Sequence, residues 1–452
     1  MDPTTLALLV VAGVLVLGVI GESLFERTQI PDVLWLIAAG ALLGPVTGLV
    51  DPHVFSGGIP TFAAVTLVVI LFQGGSRLVL RDLLRSAPRA AVLAVIGWLL
   101  SAAAVAGASL LAAHFGLLPD WSVGHALMLG SMLGGSSSLV IMPSMEVAGV
   151  DDDLANLVGL ESALTDALCV VSTLAMIEVL ATGAASPNSA IAALALQFGV
   201  AIGLGICAGM LWIPMLNLIR NHSEAYPLTL AALLGVYALA DLLGGNGALA
   251  ILAFAIVVGN ADALLAFAHL RAEHTVGLDA RVRAVHSVLS FVIKSLFFTF
   301  IGLMLGPPWP LLLLGLGIAV LLLPVRFPAV LLATVRSRFD GPSRLVASVS
   351  LPRGMASGVL ATLPAAAGIP GTEFLPSLVF ATVVGTILIF GVAFPLVRRR
   401  VPTLTNPGER PQATPPGPEP PSLSEKADVA EIEAMQAREA AAREEDQHDP
   451  EH

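Results

Sequence analysis

From its fourth residue to about its four-hundredth, the chain repeats one pattern: roughly twenty apolar residues, then a short polar break. A run of that length matches the hydrocarbon thickness of a bilayer. Inside hydrocarbon no water is available, so each backbone N–H and C=O must be satisfied within its own segment or a closed barrel. Apolar runs of this length predict transmembrane helices. Thirteen runs are legible, over residues 4–24, 31–50, 60–79, 90–113, 124–146, 154–181, 189–219, 227–244, 247–268, 285–305, 309–335, 345–367 and 374–397. With 56% hydrophobic and 12% charged residues among 452, the chain is too apolar for a soluble globule. The expectation is an all-α polytopic membrane protein of about 13 transmembrane helices.

The breaks between runs test that count. If the N-terminus lies outside, every second loop is external, and the external loops at 51–60, 115–123, 184–189, 244–247, 306–308 and 368–373 contain no Lys or Arg. The internal loops and their margins hold Arg27, Arg77, Arg81, Arg85, Arg89, Arg220, Arg271, Arg281, Arg283, Arg336, Arg338 and Arg344, and Arg398-Arg399-Arg400 follows the last run. This is the positive-inside pattern, with the C-terminus in the cytoplasm. The internal loop around Asp151 is the exception, having no basic residue. The first run is long and lacks a basic stretch before it, so it reads as a helix and not as a cleavable signal.

Two runs are interrupted near their middles. Gly134-Gly135-Ser136-Ser137-Ser138, with Pro143 beyond, breaks the fifth, and Pro352-Arg353-Gly354-Met355-Ala356-Ser357-Gly358 breaks the twelfth. Gly and Pro at membrane depth free backbone groups that must face protein or water. Interrupted helices at matching positions in two halves point to a transporter's substrate site. Spans 1–6 and 8–13 would be the halves, linked by span 7. The offset of seven gives the halves opposite orientations, as inverted repeats require.

Charges inside the apolar runs are few. Glu161 and Asp166 lie in the sixth, within Gly159-Leu160-Glu161-Ser162-Ala163-Leu164-Thr165-Asp166. A carboxylate at mid-bilayer costs on the order of 3 kcal/mol, so it normally faces a bundle interior or a wet cavity and handles ions or protons. At 100° per residue, Ser162 and Asp166 share one face, and Glu161 and Thr165 a second. The buried cations are Lys294 (the one Lys before residue 400), Arg326 in the eleventh run and Arg353 at the second break; Gln73 lies deep in the third run. Glu161 with Arg326 is the preferred pair, both being on helices of corresponding triplets; Lys294 with Glu161 or Asp166 is the competing arrangement. Arg353 would line an ion route or neutralise carbonyls freed by the break. Asp241, Glu178 and Asp262, near span ends, read as solvated or capping groups. Cys169 and Cys207 both fall in apolar runs and read as small buried hydrophobes.

The histidines lie in loops, at span ends or in the last fifty residues, so no buried Ser–His dyad supports a hydrolase acting through Ser136, Ser137 or Ser138, and no enzyme is expected. Residues 1–400 form one membrane domain. Residues 401–452 are rich in Pro, Gly, Ala and Glu, carry much of the net charge of −11, and read as an acidic, largely disordered cytoplasmic tail.

Several pieces, in this order and at these depths, resemble the monovalent cation/proton antiporter superfamily: Ile30-Pro31 through Gly40-Ala41-Leu42-Leu43-Gly44-Pro45, Leu71-Phe72-Gln73-Gly74-Gly75, Glu161-Ser162-Ala163-Leu164-Thr165-Asp166, Gly245-Asn246-Gly247, Phe297-Phe298-Thr299-Phe300-Ile301-Gly302 and Pro352-Arg353-Gly354. The resemblance implies a thirteen-helix inverted-repeat fold and a homodimer. A core of spans 4–6 and 11–13 would move against a dimerisation domain of spans 1–3 and 7–10. Asp166 would bind cation and proton in turn, Ser162 would help coordinate the cation, and Glu161–Arg326 would hold the core together. Three departures bear on the ion: Ser136-Ser137-Ser138 stands where many sodium exchangers carry Thr-Asp-Pro, Gln73 where some carry Glu, and Thr165-Asp166 where other branches have Asn-Asp or Asp-Asp.

The expected function is exchange of sodium or potassium for protons by alternating access, in the inner membrane of a prokaryote. Ser136, Ser137, Ser138, Ser162, Gln73 and Asp166 supply oxygen ligands, and Lys294, Arg353, Glu161 and Arg326 act as structural or coupling charges. One titrating carboxylate per site makes the exchange electroneutral; proton release from Lys294 would make it electrogenic. No cofactor and no nucleic-acid partner are expected; the partners are the ions, the lipid bilayer and a second copy of the chain. The alternative is a sodium-coupled organic-anion transporter of similar fold, with Arg353 and Arg326 binding substrate.

Overall fold

The computed structural model describes residues 3–28, 31–50, 59–77, 88–182, 187–219, 225–261, 264, 280–335, 337 and 339–398. Residues Met1–Val401 form one compact unit, and the expected tail lies outside the described residues. Every described regular element is helical. The helices are α1 (Pro3–Thr28), α2 (Asp32–Ala41, extended by a π-turn over Leu42–Val46), α3 (Ile59–Arg77), α4 (Pro88–His114), α5 (Val123–Met132) and α6 (Ser138–Ala148). They continue with α7 (Asp152–Thr182), α8 (Pro187–Ile219), α9 (Ala225–Leu242), α10 (Gly247–Gly259), α11 (Ala280–Leu303) and α12 (Trp309–Ala333). The last are α13 (Gly341–Val349), α14 (Met355–Leu360), α15 (Leu363–Ala366) and α16 (Leu375–Arg398).

Within the described residues, helices lie along the expected spans, the ninth being described as a helix over Gly247–Gly259. Among the described helices, eight are by themselves long and apolar enough to cross a bilayer. The fifth expected span is α5 plus α6 and the twelfth is α13 followed by α14 and α15, so both interruptions read from Gly, Ser and Pro are breaks in the backbone.

Helix α12 packs on α4 and α16, α4 on α5 and α7, and α13 on α16; α10 packs on α3 and α8, and α2 on α1 and α11. Phe72, Phe254, Phe298, Phe380 and Phe390 are fully buried between these layers. The outer faces stay apolar: Leu8, Leu211 and Leu313 are 67%, 75% and 67% exposed. Water would not tolerate so many exposed apolar side chains in a continuous belt, whereas acyl chains solvate them at no cost. Cys207 belongs to that belt, exposed on α8, while Cys169 is buried in α7. The expectation that both are buried therefore fails for Cys207, because apolarity does not distinguish a protein neighbour from a lipid one.

A close helix crossing outside the broken region joins α2 to α11. Gly40 lies against the Thr299 carbonyl and Gly302 against the Ile37 carbonyl, so any side chain at either position would push the helices apart. That approach carries Asp32 on α2 to Lys294 on α11.

Candidate functional site

The two breaks cross. Helix α5 ends near Leu133, and Gly134 to Ser137 run extended before α6 resumes. Leu351 to Gly354 are likewise non-helical between α13 and α14. Where the strands meet, the Ser137 N–H donates to the Pro352 carbonyl at 2.8 Å. Gly354 sits directly on the Ser137 side chain, leaving no room for a Cβ.

Arg353 satisfies what the breaks leave open. Its backbone N–H donates to Thr386 Oγ1 at 3.0 Å, and its guanidinium donates to the Gly134 and Gly135 carbonyls and to Ser101 Oγ at 3.2 Å. A cation at the carbonyl end of a helix meets the negative end of its dipole. Arg353 is 2% exposed and bonds no carboxylate among the described residues.

Glu161 and Arg326 form a second buried centre. Arg326 Nη1 and Nη2 donate to the two carboxylate oxygens at 3.1 and 2.7 Å, a fork-to-fork pair. Arg326 Nε donates to the Ala347 carbonyl at 2.9 Å, tying in α13. Ser136 Oγ lies 3.1 and 3.0 Å from the Glu161 oxygens and 2.8 Å from Ser162 Oγ, and the Ser136 N–H donates to Thr165 Oγ1 at 3.2 Å. Ser136, Ser162 and Thr165 thus join the Glu161 cluster, although Ser162 shares a helical face with Asp166. The strand carrying Ser136 passes between the two stripes of α7, and Ser162 turns to it.

Lys294 takes neither Glu161 nor Asp166. Its Nζ is 2.6 Å from Asp32 Oδ2, both side chains being about one-sixth exposed, at 17% and 15%. The sequence reading missed Asp32 because it opens the second run and resembled a boundary residue. Buried Tyr226 and His286, 2.9 Å apart through the phenol oxygen and Nδ1, were also missed; His286 looked like a span-end residue but is 8% exposed. Its own-helix neighbour Ser290 lies 3.3 Å from Nε2, and none of Ser136, Ser137 and Ser138 bonds a histidine among the described residues.

Asp166 stands apart. Among the described residues it makes neither a hydrogen bond nor an ion pair. It lines a cavity of about 210 Å³ together with Gln73 on α3, Ser138 at the start of α6, and Asn156 on α7. Gln73, Ile70 and Leu139 also border a neighbouring cavity of about 360 Å³ that reaches Lys294 and Glu22. Of the three break serines, Ser136 serves Glu161, Ser137 packs at the crossing, and Ser138 faces the Asp166 cavity. No group of three His, Cys, Asp or Glu suited to a resident metal occurs among the described residues.

Crossed broken helices, a caged ion pair and an uncommitted carboxylate in a cavity, set among helices long and apolar enough to cross a bilayer, are the features of a polytopic membrane protein. The chain matches the sodium/hydrogen exchanger transmembrane family over residues 11–399 and belongs to it.

It is 26% identical over 417 residues to the K(+)/H(+) antiporter NhaP of Alkalimonas amylolytica, covering 88% of this chain and 67% of that protein. The K(+)/H(+) antiporter NhaP2 of Shewanella oneidensis is 25% identical over 399 residues, with 84% and 64% covered. The chain therefore spans about two thirds of the length of these relatives. The Na(+)/H(+) antiporter NhaP of Pseudomonas aeruginosa is 28% identical over 359 residues, with 74% and 79% covered. In fold the chain is similar to the sodium proton antiporter MjNhaP1 from Methanocaldococcus jannaschii at pH 8, with a TM-score of 0.65, 20% identity, and coverage of 88% of this chain and 97% of that one.

Proposed function

We propose that this chain exchanges a monovalent cation, sodium or potassium, for protons across a prokaryotic inner membrane, with Asp166 holding cation and proton in turn. The observation that carries this reading is the division of charge around the crossed breaks. Arg326 is spent on Glu161, Lys294 on Asp32 and Arg353 on freed carbonyls, which leaves Asp166 as the carboxylate open to an ion. Ser138 and Gln73 offer neutral oxygens in the same cavity, suited to a hard cation; Ser136 and Ser162 act from behind by fixing Glu161 and the break.

One site that holds either ion, and never both, enforces exchange. With no cation paired to Asp166, one proton leaves for each cation bound, so the exchange is electroneutral. Falling pH then raises the apparent KM for the cation, by up to about tenfold per unit where a single proton competes for a single site. Thirteen crossings in two inverted repeats, with the N-terminus outside, fit the helix positions and the arginine pattern. Spans 4–6 and 11–13 would move as a core against spans 1–3 and 7–10, which would hold a homodimer together. The organic-anion alternative needs Arg326 and Arg353 free for substrate, and both are engaged.

The test is proton flux from purified protein in liposomes, with sodium and potassium added singly, for the wild type and Asp166→Asn. A pH gradient discharged by either ion and preserved in the variant supports the proposal and names the ion. Absence of any cation-driven proton flux, or an unimpaired Asp166→Asn, overturns it.

A further inference from the structure

The cavity holding Asp166 extends along one face of α7. Its lining includes Asn156, Gly159, Ala163 and Asp166, spaced three, four and three residues apart, so they stack as one stripe. Ten residues of helix separate Asn156 from Asp166, about 15 Å at 1.5 Å per residue. Between the two polar ends α7 lines the cavity with Gly159 and Ala163, and with Leu160 beside them. A Cβ added at Gly159 would lie 3.1 Å from Met142 Sδ on α6, so glycine there keeps the passage beside Met142 open. Asn156 is exposed at the far end, and its amide makes no hydrogen bond among the described residues.

The surrounding charge agrees with this placement. Glu146, Asp151, Asp152 and Asp153 lie around the turn that leads to Asn156, and no Lys or Arg occurs from residue 146 to residue 156. This is the internal loop that departs from the arginine pattern of the others. A mouth with excess negative charge raises the local concentration of cations.

We infer that the Asn156 end of this stripe is the cytoplasmic mouth of the cation path, and that the Asn156 side-chain oxygen gives a partly dehydrated alkali cation its first protein ligand on the way to Asp166. The inference rests on the exchange proposed above and adds a route, a face of the membrane and a residue to it. Gly159 and Ala163 leave the passage open, and Gln73 and Ser138 meet the ion at its inner end.

The experiment uses full-length protein inserted in one orientation in liposomes, with cation supplied from one face at a time. Asn156→Ala should raise the apparent KM for cation from the Asp152 side about three- to tenfold, the worth of one neutral oxygen ligand, with a smaller change in maximal rate. The KM from the opposite face should stay within twofold, as roughly expected when that ligand is not on the approach. Asn156→Asp should lower the KM on the same face, and Asn156→Lys should raise it most, with a shift that shrinks as an inert salt is added. Gly159→Leu should lower exchange much further than it lowers thermal stability, both being measured on the same preparation.

Equal KM values on both faces for all three Asn156 variants, a shift on the opposite face, or wild-type exchange in Gly159→Leu would overturn the inference. Wild type and Asp166→Asn in the same vesicles separate this failure from the larger one. If wild type exchanges and Asp166→Asn does not, only the route is wrong; if wild type moves no alkali cation, the proposed function falls and takes the route with it.

Discussion

Lys294 Nζ lies 2.6 Å from Asp32 Oδ2, across 262 positions of sequence, and this contact leaves the lysine paired with neither Glu161 nor Asp166. It binds α11 to α2 roughly two turns from where Gly40 and Gly302 let the helices approach. The lysine is thereby a strut of the α2–α11 pair. Asp166 is left without a lysine partner.

Lys294→Met and Asp32→Asn should each destabilise the protein by about 1–3 kcal/mol, as expected for losing a charge-assisted bond at a partly buried site. Their combination should cost less than the sum, since the pair is lost only once. Thermal unfolding in detergent measures this coupling. Exchange by Lys294→Met should remain insensitive to a clamped membrane potential. A stoichiometry that changed in this variant would show that Lys294 titrates during transport.

Glu161→Gln leaves Arg326 buried without its counter-charge, at a cost of about 3–5 kcal/mol. Arg326→Met should cost as much, because Glu161 would then keep only Ser136. The double variant Glu161→Gln with Arg326→Met should recover part of the loss, since no unpaired charge remains. Unfolding midpoints of the three variants check the order.

Gly354→Ala places a methyl group on the Ser137 side chain at the crossing. Overpacking of this kind costs about 1–3 kcal/mol, and here it also separates the Ser137 N–H from the Pro352 carbonyl. Transport should therefore fall much further than stability. Flux assays alongside thermal unfolding of the same preparation compare the two.

Asp340 caps α13, its Oδ1 accepting from the Ser343 N–H at 2.8 Å. Hydrogen bonds from Ser343 hold its carboxyl below the usual aspartate range. A lowered value means that this cap stabilises the fold above the ordinary aspartate pKa and is lost as pH falls through the lowered one. Asp340→Ala should cost about 1 kcal/mol near neutral pH and less in strong acid, where the wild-type carboxyl is neutral and a weaker acceptor. Unfolding followed across that pH range tests the sign. Helix α13 also carries the Ala347 carbonyl bonded by Arg326, so the loss should reach the Glu161 centre.

Much of the site could be read from residue types, because charge inside hydrocarbon is costly and therefore rare. With so few buried ions, Glu161 and Arg326 could be matched before any coordinates, and Arg353 beside a Gly-rich break suggested its hold on freed carbonyls. Asp32 escaped because a carboxylate at the first residue of a helix is ordinarily a dipole partner. His286 escaped because its place near a span end said nothing of the Tyr226 beside it. Ser136, Ser137 and Ser138 are chemically identical, and the extended backbone of the break sends them to three different neighbours.

The sequence by itself determined the helical class, the positions of the spans, the two breaks and the small set of intramembrane charges. These follow from the cost of unsatisfied backbone and of bare charge in hydrocarbon, which acts on each segment alone. Only the tertiary structure decided which charges meet, which serine faces the cavity, which cysteine is exposed and that Asn156 and Asp166 line one cavity. Those outcomes depend on helix rotation and on approach between segments hundreds of residues apart, and a one-dimensional pattern of apolar runs leaves both undetermined.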